Sequence, residues 1–223
     1  EATFPGEFDY AGQSILYVPR HGPSPGSPDF GDFLLDEVIG ILRITQGDAF
    51  ILFTSYRQMH YVWERLREEV TFPLLRQGEK PRNRILEEFR TTSHAVLCAT
   101  SSFWQGVDVR GPALKAVIID KLPFQVPSEP LVAARVEQMR KRGEDAFAGY
   151  IVPSAVISLR QGLGRLIRSK QDYGILAVLD NRIWNKRYGR QFLKSLPNCP
   201  VTDNMENLEN FLTGIVSETG EDS

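Results

Sequence analysis

The chain has 223 residues, of which 42% are hydrophobic and 24% are charged, a composition typical of a globular protein with its own core. Its longest apolar stretches, such as AFILF and AVII, are far too short for a membrane helix, so we expect no membrane span. The formal net charge of −2 argues against a protein that coats nucleic acid with uniform positive charge.

The first residues, EATFPGEFDY, are acidic and carry no signal-peptide pattern. We therefore expect a cytoplasmic domain that belongs to a longer chain. The charge is also unevenly distributed, because nine basic and two acidic residues lie between Arg160 and Lys194, whereas Asp203 to Ser223 holds six acidic residues and no basic one. The basic segment could be an electrostatic binding surface for phosphate. We expect a domain over 1–200, followed over 201–223 by an acidic helix or tail that is solvated and partly disordered.

Short apolar runs, each followed by a helical pattern, recur along the chain. Such runs are typical of buried parallel strands, and their alternation with helices predicts a doubly wound, mostly parallel α/β sheet with helices on both faces. The predicted strands cover 15–18, 49–54, 72–75, 95–99, 116–120 and 175–180, and the predicted helices cover 33–45, 56–69, 81–90, 129–142, 145–168 and 186–196.

Three polar segments stand near the ends of these predicted elements. In doubly wound sheets, ligands bind beyond the carboxyl ends of the strands. The segments TSYRQ (54–58) and TSSFWQGVDVRG (100–111) each follow a strand, and QGLGRLIR (161–168) precedes the strand at 175. Each could be ordinary loop chemistry, but their convergence on one edge of a sheet favours a binding site.

The segment QGLGRLIR separates its polar and apolar side chains if it is helical. An ordinary amphipathic helix with solvated arginines would show the same pattern. Two glycines in a helix interior favour a binding role instead, because each costs about 1 kcal/mol relative to alanine. At about 100° per residue, Gln161, Arg165 and Arg168 share one face with Gly164 leaving space between them, while Leu159, Leu163, Leu166 and Ile167 share the other.

The sequence lacks the motifs of a self-contained hydrolase. It has no G-x-x-x-x-G-K-[ST] loop, no dinucleotide fingerprint after a strand, and no H-E-x-x-H or G-x-S-x-G motif. Two cysteines and three histidines are too scattered for a zinc or iron–sulfur site, and Cys98 lies in an apolar strand pattern typical of a buried hydrophobe. We therefore expect no metal site in this chain. Because the hydrolase motifs are missing, we expect a domain that completes a site on another domain.

Three motifs in order resemble those of the DinG/XPD group of superfamily 2 DNA helicases. AFILFTSYRQM resembles motif IV, SSFWQGVDVRGPALKAVIIDKLPFQVPSEP resembles motif V and its continuation, and QGLGRLIR matches the Q-x-x-G-R-x-x-R of motif VI. The similarity runs from LYVPR (16–20) to YGRQFLKSLP (188–197) and is closer to DinG than to XPD. It implies the second, C-terminal RecA-like motor domain of an ATP-dependent helicase over residues 1–200.

The resemblance implies an ATP site shared with a first motor domain, absent here, that supplies the phosphate-binding loop and the Mg²⁺-binding acids. Arg165 and Arg168 would be arginine fingers at the γ-phosphate. Asp108 would orient an arginine or bind the ribose, although a turn-capping carboxylate is the structural alternative. An iron–sulfur cluster, which the family carries in its first domain, is not expected in this chain. The residues expected to contact or sense the nucleotide are Gln161, Gly164, Gly106 and Asp108.

The resemblance also implies that single-stranded or forked DNA runs over the carboxyl ends of the strands. Small hydroxyls and backbone N–H groups there would hold phosphates without reading sequence. Phe103 and Trp104 would stack on bases or fill the core, with the core slightly favoured. Arg182, Lys186, Arg187 and Arg190 belong either to this surface or to a solvated helix. The residues expected to bind DNA are Thr54, Ser55, Tyr56, Arg57, Thr100, Ser101 and Ser102.

One position departs from the family pattern, since Gln105 stands where a glutamate usually precedes Gly-Val-Asp. Contacts made by that carboxylate are therefore not carried over. We expect a motor domain that moves along single-stranded DNA in repair or replication, and that is inactive as this chain alone. The alternatives are a non-catalytic nucleic-acid-binding or regulatory module with a RecA-like fold, and an unrelated Rossmann-like transferase.

Overall fold

The computed structural model describes residues 9–100, 103, 114–126, 129–167, 169–196 and 198–220. Within these residues, a seven-stranded sheet has the strand order β3-β4-β2-β5-β6-β1-β7, and all its strand pairs are parallel. The strands are β1 (Ser14–Tyr17), β2 (Ala49–Phe53), β3 (Leu74–Arg76), β4 (Val96–Thr100), β5 (Ala116–Ile119), β6 (Gly174–Val178) and β7 (Val201–Thr202).

Helices connect these strands and cover both faces of the sheet. One turn of π-helix, Phe147–Ile151, continues directly into the sixth α-helix. The α-helices are α1 (Tyr10–Gln13), α2 (Phe30–Thr45), α3 (Tyr56–Glu69), α4 (Arg82–Thr91), α5 (Pro130–Lys141), α6 (Val152–Leu163), α7 (Arg182–Asn185), α8 (Gly189–Ser195) and α9 (Met205–Gly220). No helix in the described residues is long and apolar enough to cross a membrane.

Successive strand residues pack into two separate cores. Phe50 and Leu52 point into a layer that includes residues of α4, α6 and α8, whereas Ile51 and Phe53 point into a layer with α2, α3 and α9. Because side chains alternate along a strand, a strand buried on both faces reads as a continuous apolar run. The doubly wound α/β sheet predicted from these runs is confirmed.

The end of α6 differs from the sequence prediction. The predicted helix over 145–168 is too long, because α6 ends at Leu163 and Gly164 caps it. After this point the N–H groups of Arg165 and Leu166 bond to carbonyl groups three residues back, at 3.2 Å each, rather than four. Glycine is a poor helix former, so the helix stops and the chain tightens into a turn.

The acidic end of the chain packs onto the domain. The strand β7, which was not predicted from the sequence, pairs in parallel with β1. The helix α9 then buries Leu208 and Leu212 in the core layer that contains α2. The division of the chain at residue 200 stays a prediction.

A buried hydrogen bond joins β1 to α2. The hydroxyl of Tyr17 donates to Oε2 of Glu37 at 2.6 Å, and Nε2 of His21 lies 2.8 Å from Oε1 of the same carboxylate. Burial, and then the bond to Glu37, raise the pKa of Tyr17 far above its ordinary value. The tyrosine is therefore a neutral hydrogen-bond donor at neutral pH.

We predict that Tyr17→Phe lowers the free energy of unfolding by about 1–3 kcal/mol, because it leaves a buried carboxylate oxygen without its donor. Urea unfolding of the chain, followed by circular dichroism, measures the change. The control is Tyr61→Phe, which removes a solvent-exposed bond to Asp32 and should leave the midpoint unchanged. Equal midpoint shifts in the two variants would contradict the prediction.

Candidate functional site

A buried carboxylate fastens the carboxyl ends of β2 and β5 together. Asp120 directly follows β5 and is fully buried. Its Oδ1 accepts hydrogen bonds from the backbone N–H groups of Thr54 at 2.9 Å and Lys121 at 2.8 Å. Its Oδ2 accepts from the Thr54 hydroxyl at 3.2 Å and from Nζ of Lys121 at 3.1 Å. Burial raises the pKa of Asp120, and the Lys121 ammonium opposes that shift. Thr54 is thereby held in one position at the sheet edge.

A second buried carboxylate, Asp180, lies at the end of β6. It accepts from the backbone N–H of Leu122 at 2.9 Å and holds the guanidinium of Arg182 through Nε and Nη2, with a shortest distance of 2.6 Å. Burial alone would lower the pKa of Arg182, but the Asp180 carboxylate raises it. The guanidinium carbon also lies 5.4 Å from the ring centroid of Phe124.

The sequence allowed two interpretations, a DNA-binding surface or a solvated helix, for four basic residues: Arg182, Lys186, Arg187 and Arg190. The structure distinguishes Arg182 from the other three. Arg182 is fixed at the sheet edge by Asp180. Lys186, Arg187 and Arg190 are exposed on the segment from α7 to α8.

Gln77 connects two of the predicted DNA-binding segments. Its Nε2 donates to the hydroxyl of Tyr56 at 2.7 Å, and its Oε1 accepts from the backbone N–H of Thr100 at 2.7 Å and from the Thr100 hydroxyl at 3.0 Å. Gln77 was not among the residues predicted from the sequence. It follows β3 directly, so the rule that ligand-binding residues follow strands would have indicated it.

A cleft of about 800 Å³ opens at the carboxyl ends of β2 and β5. Its lining includes the loop over 25–29 with the start of α2, and the first turn of α3. The hydroxyl of Ser55 caps α3 by accepting from the N–H of Gln58 at 3.3 Å. Among the residues that line this strand-end cleft are Thr54, Ser55, Arg57, Lys121, Phe124 and Arg182.

The structure brings part of the predicted DNA-binding set together. Thr54, Ser55 and Arg57 line the strand-end cleft, and Tyr56 is 53% exposed beside them. Thr100 is buried, and its hydroxyl is directed at Gln77 rather than at the surface. Ser101 and Ser102 lie outside the described residues, as do Trp104, Gln105, Gly106 and Asp108.

Two predictions of burial near this edge are confirmed. The side chain of Phe103 is 5% exposed and belongs to the core, as the sequence slightly favoured. Cys98 is fully buried in β4, and burial raises the pKa of its thiol to about 12. A thiol of this kind is a neutral, unreactive hydrophobe.

Three residues of the predicted nucleotide site, Gln161, Gly164 and Arg165, stand at or just after the end of α6. Gln161 is exposed, Gly164 caps the helix, and Arg165 is partly buried in the turn that follows. The predicted polar face does not extend to Arg165, because α6 ends at Leu163. Arg168 lies outside the described residues. The inward face is confirmed, since all four of its members are buried: Leu159, Leu163, Leu166 and Ile167.

A second arginine contributes to the electrostatics around Arg165. Burial, and then the positive charge of Arg82 at the start of α4, lower the pKa of Arg165. The guanidinium carbon of Arg82 lies 5.3 Å from the ring centroid of Phe103. Two guanidinium groups in one region stabilise an anion bound between or beside them. No motif in the sequence pointed to Arg82.

Comparison with known proteins identifies the family. The helicase C-terminal domain family matches residues 38–199, which is most of the chain. The chain belongs to this family. The resemblance to the DinG/XPD group is thereby confirmed at the level of the domain.

The relatives of this helicase C-terminal domain are much longer proteins. It is 45% identical over 205 residues to the ATP-dependent DNA helicase YoaA of Haemophilus influenzae, covering 92% of this chain and 32% of that protein. It is 38% identical over 198 residues to the ATP-dependent helicase DinG of Mycobacterium tuberculosis, covering 88% and 30%. The 3'-5' exonuclease DinG of Bacillus subtilis is 34% identical over 216 residues, covering 93% and 23%. The chain thus spans a third or less of these relatives.

Solved structures show the same fold at low identity. A structure of an XPD helicase superposes with a TM-score of 0.62 at 16% identity, covering 87% of this chain and 36% of that chain. The C-terminal domain of the DEAD-box protein Dbp5 superposes with a TM-score of 0.53 at 15% identity, covering 92% and 98%. The RecA-like fold implied by the motifs is confirmed.

We predict that Asp120→Asn lowers the free energy of unfolding by about 1–3 kcal/mol. Asparagine keeps one oxygen for the two backbone N–H groups but cannot pair with the charge of Lys121. The measurement is urea unfolding, with Asp203→Asn as the matched control, because Asp203 forms an exposed ion pair with Arg20 at 2.9 Å. The control should unfold at the wild-type midpoint. A wild-type midpoint for Asp120→Asn as well would show that the carboxylate does not hold this edge.

Proposed function

We propose that this chain is the C-terminal motor domain of an ATP-dependent translocase or helicase that acts on single-stranded or forked DNA in repair or replication. The observation that carries the proposal is the strand-end cleft, where Thr54, Ser55 and Arg57 meet at the carboxyl edge of the sheet. Family membership and the names of the YoaA and DinG relatives support it.

The DNA track would cross this edge of the sheet. The hydroxyl of Ser55, the guanidinium of Arg57 and the N–H groups at the start of α3 would hold phosphate oxygens, because a helix N-terminus favours anions. Tyr56 is exposed beside these residues and would extend the track. Gln77 joins it to the buried Thr100, which would support the track rather than contact DNA, and Ser101 and Ser102 are proposed to bind phosphates as well. These contacts involve no base edges, so binding would be largely independent of sequence.

The ATP site would form against a first motor domain in the full-length protein. Arg165 and Arg168 would contact the γ-phosphate and stabilise charge in the transition state, with Gln161, Gly164, Gly106 and Asp108 around the nucleotide. The partly buried position of Arg165 and its proximity to Arg82 support this role, since a bound phosphate would offset both the burial and the repulsion. The first domain would hold Mg²⁺, which neutralises charge on the phosphates, and any iron–sulfur cluster.

We predict that Arg165→Ala in the full-length protein lowers the kcat of DNA-stimulated ATP hydrolysis by a factor on the order of 10³. The loss reflects the missing charge at the γ-phosphate. Steady-state phosphate release measures kcat, and fluorescence anisotropy measures the affinity for single-stranded DNA, which should stay within about twofold of wild type because Arg165 does not line the strand-end cleft.

Arg160→Ala is the matched control, since Arg160 lies exposed in the last turn of α6. It should hydrolyse ATP at the wild-type rate. Hydrolysis at that rate by Arg165→Ala would reject the arginine-finger assignment. If wild-type full-length protein binds DNA without hydrolysing ATP, the chain is instead a non-catalytic nucleic-acid-binding module. The 223-residue chain by itself should show negligible hydrolysis.

We predict that Arg57→Ala weakens binding of single-stranded DNA uniformly across sequences. Each phosphate contact on a single strand contributes about 0.7 to the slope of log K against log salt, so the slope should become shallower by about that amount. Anisotropy titrations of full-length protein over a salt series measure it. Arg67→Ala, at the opposite end of α3, is the control and should keep the wild-type slope. An unchanged slope for Arg57→Ala would remove it from the DNA track.

A further inference from the structure

The interior of the strand-end cleft carries less positive charge than its lining suggests. Of its three basic residues, Lys121 is paired with Asp120 at 3.1 Å and Arg182 is paired with Asp180 at 2.6 Å. Both carboxylates are fully buried behind the cleft wall. The deep part of the cleft is therefore close to neutral, which is poorly suited to a phosphate.

Arg57 is the exception among these cations. It is exposed, and no carboxylate of the described residues forms an ion pair with it. It stands in the first turn of α3, next to the exposed hydroxyl of Ser55. The full positive charge and the helix N-terminus thus lie together at the solvent-facing side of the cleft, where a phosphate would be stabilised.

The rest of the cleft lining is apolar and aromatic. Leu122 and Phe30 are buried in its wall, Phe124 is half-buried, and the side chain of Val126 is 54% exposed. A volume of about 800 Å³ lies in the range of pockets that bury small organic ligands. The cleft therefore combines a neutral, apolar interior with a cationic mouth.

Gln58, which lines the cleft, carries a side-chain donor that the protein's own hydrogen bonds leave unused. Nε2 of Gln58 is buried and has no hydrogen-bond partner among the described residues. Buried donors are nearly always paired, so an unpaired one in a cleft wall indicates a missing acceptor. All four nucleobases carry ring-nitrogen or carbonyl acceptors on their edges.

The wall formed by residues 25–31 is held in place before any ligand arrives. Nδ2 of Asn181 donates to the carbonyl of Gly22 at 2.9 Å, and the hydroxyl of Ser24 donates to Oδ1 of Asn181 at 3.4 Å. Pro25 and Pro28 restrict the backbone further. A cleft with a fixed wall binds a flat ligand without a large ordering cost.

We propose that the strand-end cleft is a nucleobase pocket. It takes one base of single-stranded DNA between its apolar walls, Gln58 donates to an acceptor on that base, and Arg57 holds the adjoining phosphate at the mouth. Because every base presents an acceptor, the pocket grips the strand without selecting a sequence. The inference rests on the DNA-binding function proposed above and adds to it a contact that requires the base.

The test compares oligothymidylate with an abasic oligonucleotide of the same length and charge, bound to the full-length protein at one salt concentration. Loss of a stacked base should weaken binding about tenfold. Equal affinity for the two strands would overturn the base pocket and leave the phosphate track intact. Failure to bind either strand would overturn the DNA-binding function and the pocket with it.

Two variants assign the effect to this cleft. Gln58→Met keeps the side-chain length and removes the donor, and Val126→Trp fills the mouth from an exposed position with little effect on folding. Both should bind oligothymidylate about as weakly as wild type binds the abasic strand, and both should bind the abasic strand as wild type does. Gln191→Met, on the exposed face of α8, is the matched control and should keep the wild-type preference. A retained preference in both cleft variants would overturn the assignment.

A free nucleotide presents the same chemistry as a base within a strand. Deoxyadenosine monophosphate is therefore added as a competitor against an oligonucleotide that contains 2-aminopurine, whose fluorescence falls when the base stacks. Binding should quench the probe in wild type and less in Gln58→Met, and the free nucleotide should displace the strand only at far higher concentration. Displacement at equal concentration would overturn the strand as the ligand.

Discussion

The carboxylate of Asp120 determines how the carboxyl edge of the sheet is built. A fully buried charge is stable only when hydrogen bonds and an opposite charge replace water, and Asp120 has four donors from Thr54 and Lys121. Asp180 repeats this arrangement one strand away, with Leu122 and Arg182 as donors. The residues that donate these hydrogen bonds, Thr54, Lys121, Leu122 and Arg182, also line the strand-end cleft. The geometry of the cleft therefore follows from the hydrogen bonds that two buried carboxylates require.

Five strands, β1, β2, β4, β5 and β6, were predictable because they are buried on both faces and therefore read as apolar runs. The helix α3 was predicted at its observed bounds, since Ser55 is a strong N-cap and the apolar period is clear. The end of α6 was predicted too late in the chain, because a helical projection assumes that the helix continues, whereas it stops at Gly164. β7 has two residues, too few for any period.

The candidate site was only partly predictable for a different reason. Thr54, Ser55 and Arg57 belong to one motif, whereas Asp120 and Gln77 act across the sheet. Asp120 lies 66 positions from Thr54, and Gln77 lies 23 positions from Thr100. Their roles depend on which strands become neighbours, and local patterns do not specify strand order. Each follows a strand directly, however, so position in the chain is the one signal that could have found them.

The contacts also connect the strand-end surface with the arginines near α6. Gln77 holds Thr100 at the end of β4, and three residues later Phe103 lies buried with Arg82 over its ring. Burial lowers the pKa of Arg165, and the positive charge of Arg82 lowers it further. In the proposed motor, a phosphate beside Arg165 would therefore act on Arg82, whose guanidinium lies over the ring of Phe103, three positions after Thr100 in the chain. Coupling of this kind requires an element with two arrangements. Among the described residues, the contact between Arg82 and Phe103 is the one that lies between the track and Arg165, so such an element would have to act through it.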